Sequence, residues 1–227
     1  MLGFIDPLYW IMLIPALIIA GIATLKTRST FAKYQKIRAR SGLTGAQAAR
    51  KVLDDAGLRN VRIQRAGGYL SDHYDPRSNT LRLSRPVYGS SSLAALGVAC
   101  HEAGHALQHA DNYAPLGLRS ILVPAAQFGS NGAYIVFLLG LLFGAPLLLK
   151  IGIVLFTGVV AFSIITLPVE WNATKRAKKA MVSAGIVTNR EQKEAGKVLN
   201  AAFLTYVASA FTAIMTLLYF IIRAGGE

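Results

Sequence analysis

The sequence predicts a mainly helical membrane protein with four transmembrane helices and a small α+β module on the cytoplasmic side. Hydrophobic residues make up 53% of its 227 residues, and the mean hydropathy of +0.44 is too high for an ordinary soluble domain. Four apolar stretches approach the roughly 20 helical residues that a bilayer crossing requires. The chain has 24 Lys and Arg against 11 Asp and Glu, and most of the basic residues lie between these stretches.

The apolar stretches divide the chain into five segments. The second stretch has an ambiguous start because it contains Gln127, Asn131 and several glycines, which in a span usually face other helices. The first stretch could instead be a signal peptide, but it lacks a basic start and carries Asp6. We therefore expect a first span in 1–25, a cytoplasmic segment at 26–121, a two-span hairpin at 122–167, a second cytoplasmic segment at 168–200, and a last span with a tail at 201–227.

The positive charge predicts the orientation. Fifteen Lys and Arg fall in 26–121 and seven in 168–200, which leaves only Lys150 and Arg223 elsewhere. Because cationic loops stay in the cytoplasm, we expect a multi-pass protein of the plasma membrane with both termini outside. The formal charge of +13 could also indicate nucleic-acid binding, but the apolar stretches favour the lipid bilayer as the partner. A single cysteine, Cys100, excludes an intramolecular disulfide.

Residues 41–90 have the pattern of a small α+β module. Thr44 is placed to cap a helix that Gly57 ends. The sequence NVRIQRA then alternates apolar and polar residues, as a strand does. Two extended pieces around PRSN predict a hairpin, whose second strand at 81–84 could offer an edge to an extended peptide. A serine among 90–92 could cap the helix that follows.

That helix carries the motif HEAGH. His101 and His105 are one turn apart and project from one face, so they can share a tetrahedral ion. Glu102 lies beside them, where it can take a proton from a water molecule that zinc activates and pass it to the leaving amine. The neighbouring glycine and alanines leave room for a metal and a substrate. The motif predicts a zincin-like module with one Zn²⁺ per chain.

A catalytic zinc site needs a third protein ligand and one open position. No histidine follows His109, so the candidates are the three acidic residues of the second cytoplasmic segment, Glu170, Glu191 and Glu194. Glu170 is favoured because it begins EWNATKRA where the third span returns to the surface, and an acid there is costly unless something binds it. It could alternatively pair with Lys175 or Arg176 as a surface carboxylate.

Other polar residues have two interpretations each. His73, with Tyr74, could stabilise an oxyanion or could belong to a turn that Asp75 and Pro76 fix. His109 could reach the metal face, but a surface role is favoured. Cys100 points about 100° away from His101 on the helix, which favours a small buried residue.

The chain resembles the YugP-type family of neutral zinc metallopeptidases of bacterial membranes, itself similar to the HtpX-type and CAAX prenyl proteases. The resemblance is carried by TGAQAARKVLDDAGL, LSDHYDP, LRLS, VACHEAGHALQH and LPVEWNATKRA. It implies His101 and His105 as ligands, Glu102 as general base and Glu170 as third ligand. The HtpX-type pattern has an aspartate where this chain has Thr174, so a carboxylate that orients a histidine is absent there. Asp72, Asp75 or Asn172 could supply a substitute.

The leading hypothesis for function is a membrane-tethered zinc endopeptidase that acts on peptide or protein substrates, chiefly membrane proteins. An intramembrane site-two-type protease is disfavoured because no aspartate follows Asp111. A non-catalytic scaffold clamped by zinc is also possible, but a structural site would not need Glu102. An oligomer is compatible with the sequence, which does not define one.

Overall fold

The computed structural model describes residues 6–68 and 71–225. Within these residues the chain is mainly helical, with seven helices and three short strands. In chain order the elements are α1 Pro7–Gln35, α2 Gly45–Asp55, β1 Arg62–Ala66, β2 His73–Asp75, β3 Thr80–Ser84, α3 Arg85–Tyr88, α4 Leu93–Ala110, α5 Ala114–Phe143, α6 Pro146–Ser183 and α7 Asn189–Gly225.

Four helices, α1, α5, α6 and α7, are long and apolar enough to cross a membrane. All four are longer than the predicted spans, because each helix continues from its apolar stretch into polar sequence. Helix α6, for example, runs without interruption from the predicted third span through EWNATKRA. The number of membrane-length helices is confirmed, whereas the sides on which the polar segments lie remain a prediction.

The chain forms two compact units. The first comprises Met1–Thr24, Gly117–Pro168 and Leu204–Glu227. Its core is aromatic: the Phe137 and Phe220 rings stack with centroids 3.9 Å apart, and Tyr134 meets Phe156 edge-on at 5.4 Å. The second unit comprises Leu25–Leu116 and Val169–Phe203, and it holds the polar residues that the sequence singled out.

The second unit contains a three-stranded sheet in the order β1-β3-β2. Strand β2 pairs antiparallel with β3, as the predicted hairpin requires, and β1 pairs parallel with β3. Strand β3 is central, and its Leu81 and Leu83 are fully buried. Of the two interpretations of this strand, a peptide-binding edge or simple hairpin structure, the first is wrong for β3, because both of its edges are paired.

Local sequence explains where the shorter helices begin. The Thr44 hydroxyl accepts from the Gln47 backbone N–H, and the Gln47 side chain accepts from the Thr44 N–H, which completes a capping box on α2. Gly57 follows that helix with a φ of +75°, a left-handed conformation that glycine adopts without strain. The Ser92 hydroxyl accepts from the Ala95 N–H and so caps α4.

Helix α4 passes very close to α6 at Gly104. A Cβ atom added to Gly104 would lie 2.7 Å from the carbonyl oxygen of Ala173. The sequence had suggested that this glycine leaves room for metal and substrate; the structure shows that the room is taken by the α6 backbone. Gly104 thus allows the two helices to approach closely.

We expect Gly104→Ala to lower the thermal unfolding temperature of the detergent-solubilised protein. The added methyl group must push α6 away, and overpacking of this kind costs about 1–3 kcal/mol, against a gain in helix propensity of at most about 1 kcal/mol. Gly97→Ala, in the same helix, is the matched control, since its Cβ would lie no closer than 3.4 Å to Ala195, its nearest neighbour in another segment. Equal unfolding temperatures for the two variants would contradict the close approach.

Candidate metal centre

Three side chains that could hold a metal ion come from two helices and meet in the second unit. His101 and His105 project from α4, and Glu170 projects from α6. One carboxylate oxygen of Glu170, Oε2, lies 3.1 Å from Nε2 of His101 and 3.5 Å from Nε2 of His105. The two imidazole rings stand nearly perpendicular, at 84°, with centroids 4.9 Å apart. The structure thus brings together the three residues that the sequence nominated as ligands.

This donor set fits a zinc ion. One ligand atom from each residue lies within 4.8 Å of the other two, and two imidazoles with one carboxylate form a common catalytic zinc set that leaves one position open. Glu170 is only 2% exposed. A buried carboxylate needs positive charge nearby, and a metal ion between the three donors would provide it.

The pKa shifts of Glu170 and His105 also favour a cation at this site. Burial acts to raise the pKa of Glu170, but the hydrogen bonds to His101 and His105 outweigh it and hold that pKa below its usual value. Burial acts to lower the pKa of His105, and Glu170 reverses that shift, so the pKa of His105 is raised. The site therefore attracts positive charge, and a metal ion can replace the proton that the carboxylate otherwise draws onto the imidazole.

Each histidine has a partner on its other ring nitrogen. Nδ1 of His101 lies 3.3 Å from the Thr174 hydroxyl, and Nδ1 of His105 lies 2.9 Å from Oε1 of Gln108. Thr174 stands where the HtpX-type pattern has its aspartate, so a hydroxyl contacts the histidine from that position. Such outer partners orient metal-binding histidines and tune their affinity.

The side chains considered as substitutes bond to groups other than the two histidines. Asp72 accepts from the backbone N–H and the hydroxyl of Ser84. Asp75 accepts from Arg82 and Ser78. Asn172 contacts Gln108 rather than a histidine, with 3.0 Å between its Oδ1 and the Gln108 Nε2.

Glu102 is buried beside the two histidines, with 8% of its surface exposed. Burial raises the pKa of its carboxyl, and the charges of His101 and His105 only partly oppose this. A carboxylate whose pKa is shifted upward is better able to accept and release a proton near neutral pH. Its position and environment suit the role of general base that the motif indicates.

The remaining candidates lie apart from the ligand group. Glu191 caps α7 by accepting from the Thr188 backbone N–H and hydroxyl, and it also accepts from the Arg40 backbone N–H. Among the described residues, the group of side chains that could hold a metal contains neither Glu191 nor Glu194. Cys100 is fully buried, as expected, and burial raises the pKa of its thiol to about 12.

The residues around β2 have their own contacts. The Tyr74 hydroxyl lies 2.9 Å from Nδ1 of His109, which is exposed at the end of α4. Nδ1 of His73 lies 2.9 Å from the Ser71 carbonyl oxygen. Because successive strand residues point to opposite faces, His73 and Tyr74 do not act on the same side of β2.

Sequence reasoning missed Gln108. It is fully buried and lies three residues after His105, a spacing that places two side chains on the same helical face. A polar residue at that spacing from a predicted ligand was the available signal.

The chain is similar to known proteins over almost its whole length. A family model described as "Putative neutral zinc metallopeptidase" matches residues 9–225. A protein of Bacillus subtilis (strain 168) named "Putative membrane protease YugP" is 46% identical over 214 residues, which cover 94% of this chain and 95% of that protein. No solved structure matches the chain.

We expect Glu170→Gln to reduce bound zinc from about one ion per chain to a small fraction. The amide keeps the shape of the side chain but loses the charge that offsets the cation. Metal content after gel filtration, measured by inductively coupled plasma mass spectrometry, tests this. Glu194→Gln is the control and should retain zinc; full zinc in Glu170→Gln would remove Glu170 from the ligand set.

Proposed function

The chain belongs to the family of neutral zinc metallopeptidases whose family model matches its sequence, and we propose that it is a membrane-bound zinc endopeptidase. The observation that carries the proposal is the convergence of His101, His105 and Glu170 beside the buried carboxylate of Glu102. Two imidazoles and a carboxylate would hold one ion, and Glu102 would handle the proton. The fold around this centre is proposed to be a zincin-like module in the second unit.

The chemistry divides between the metal and the protein. A zinc ion held by the three ligands would polarise the peptide carbonyl and make a water molecule more acidic. Glu102 accepts a proton from the attacking water and delivers it to the leaving amine nitrogen, so the same carboxylate serves as base and then as acid. Thr174 and Gln108 hold the two imidazoles in place during these steps.

The proposed substrates are membrane proteins or their exposed ends, cut at the cytoplasmic surface. The positive charge supports this orientation, since 22 of the 24 Lys and Arg lie in the two polar segments. The membrane-length helices support attachment to a bilayer. Plasma-membrane location and outward-facing termini belong to the same proposal.

Purified zinc-loaded protein in detergent should degrade fluorescein-labelled β-casein, an unfolded substrate. Activity should stop on addition of 1,10-phenanthroline and return when zinc is restored. Release of fluorescent peptides, followed with time, is the measurement. Protein that retains stoichiometric zinc and cuts nothing would favour the alternative of a zinc-stabilised scaffold.

We expect Glu102→Gln to keep zinc and to lose activity by about 10²- to 10⁴-fold, the usual contribution of a general acid–base group. Glutamine preserves the size of the side chain but cannot accept the proton. Initial rates of casein cleavage and metal content are measured on the same preparation. Wild-type rates in this variant would reject the role of Glu102, and Glu194→Gln again serves as the matched control.

A further inference from the structure

A row of hydrogen bonds leads from the protein surface to His105. Its outer end is Arg176 on α6, which forms an ion pair with Asp111. Nε of Arg176 donates to Oδ1 of Asn172 at 2.7 Å. A guanidinium group can only donate, so the oxygen of the Asn172 amide must face Arg176.

The next amide is fixed in the same way. Nε2 of Gln108 donates to that Asn172 oxygen at 3.0 Å and to the Val169 carbonyl oxygen at 2.8 Å. Both groups act here as acceptors, so the two N–H groups of Gln108 are used and its oxygen faces His105. Gln108 is fully buried, and rotating its amide would turn its oxygen toward these two acceptor oxygens, so that both hydrogen bonds would be lost.

The orientation of Gln108 decides the state of His105. Its Oε1 lies 2.9 Å from Nδ1 of His105, and an amide oxygen can only accept. Nδ1 of His105 therefore carries a hydrogen, which leaves Nε2 as the atom that can bind a metal. That atom is the one 3.5 Å from Glu170.

From this geometry we propose that Asn172 and Gln108 are positioning residues, which commit Nε2 of His105 to the metal from outside the ligand set. The inference rests on the proposed ligands but not on peptide cleavage. His101 differs, because its Nδ1 faces the hydroxyl of Thr174, which can donate or accept. Of the two proposed histidine ligands, His105 is thus the one whose hydrogen position the protein dictates.

The first test compares zinc affinity in two variants of one residue. Asn172→Ala removes the acceptor that holds the Gln108 amide and should weaken zinc binding about tenfold, the lower end of the range for outer partners of metal ligands. Asn172→Asp keeps an oxygen facing both Arg176 and Gln108 and should bind zinc within about twofold of wild type. Affinities are measured by competition with a chromophoric chelator.

A matched control comes from another asparagine of the same unit. Oδ1 of Asn200 accepts from Lys178 at 2.6 Å, so Asn200→Ala also removes an acceptor for a cationic side chain. It leaves the row of hydrogen bonds from Arg176 to His105 intact. It should bind zinc as wild type does. Equal zinc affinity in Asn172→Ala and Asn200→Ala would overturn the proposed positioning role of Asn172. An equal loss of zinc affinity in Asn172→Ala and Asn172→Asp would overturn it as well.

The second test is made on the wild-type protein, so no substitution can disturb the folding of the measured sample. The chain has only four histidines, so selective ¹⁵N labelling of histidine gives a simple NMR spectrum, which single His→Gln variants assign. In zinc-loaded wild type, His105 should show a protonated Nδ1 and a metal-bound Nε2. A metal-bound Nδ1 would overturn the proposal.

These readouts separate the inference from the proposed function. If wild-type protein binds zinc through His105 Nε2 but cuts no casein, the positioning role of Asn172 and Gln108 is retained and the peptidase activity is rejected. If the protein cuts casein but its zinc affinity is the same in Asn172→Ala, the peptidase activity is retained and the positioning role is rejected. Wild-type protein that binds no zinc would remove both.

Discussion

The arrangement on which the site depends is the approach of a buried carboxylate on α6 to two imidazoles on α4. Glu170 lies within 3.5 Å of both histidines, so a small displacement of one helix would separate the donors. Contacts beside the site oppose that displacement. Gly104 lets the backbones approach, and Gln108 bonds across to the α6 carbonyl of Val169. The helix pair is therefore positioned by the protein itself, and a metal ion would meet donors already near one another.

Helix α6 supplies its side of the site through one buried face. Glu170, Ala173, Thr174 and Ala177 are each at most 3% exposed, and their spacings of three and four residues place them together on the helix. The small residues permit close packing, while the two polar ones meet His101. A single helical face therefore provides the proposed third ligand, the contact with Gly104 and the hydroxyl beside an imidazole.

The sequence predicted which side chains lie together at the site better than the hydrogen bonds that support them. His101, His105 and Glu170 could be chosen because a metal restricts ligands to few residue types, and the structure brings these three together. Asn172 could be named only as one of three alternatives, and the contact of Gln108 with it could not be predicted, because their role depends on which atoms face each other across two helices. Likewise, the hairpin was evident from local sequence, but the parallel pairing that makes β3 central joins strands distant in the chain.

Hydropathy located the apolar stretches but not the helix ends, and this difference bears on where the site lies. Apolar character ends where contact with lipid would end, whereas a helix continues as long as its backbone hydrogen bonds and packing allow. Glu170 comes three residues after the predicted span that ends at Leu167, about 4.5 Å of helical rise. A carboxylate on the next turn of the same helix would lie directly after the apolar stretch and would still belong to the second unit. The proposed reaction needs water, and the proposed membrane-protein substrates need proximity to the bilayer; a helix that carries Glu170 just beyond its apolar stretch would meet both requirements.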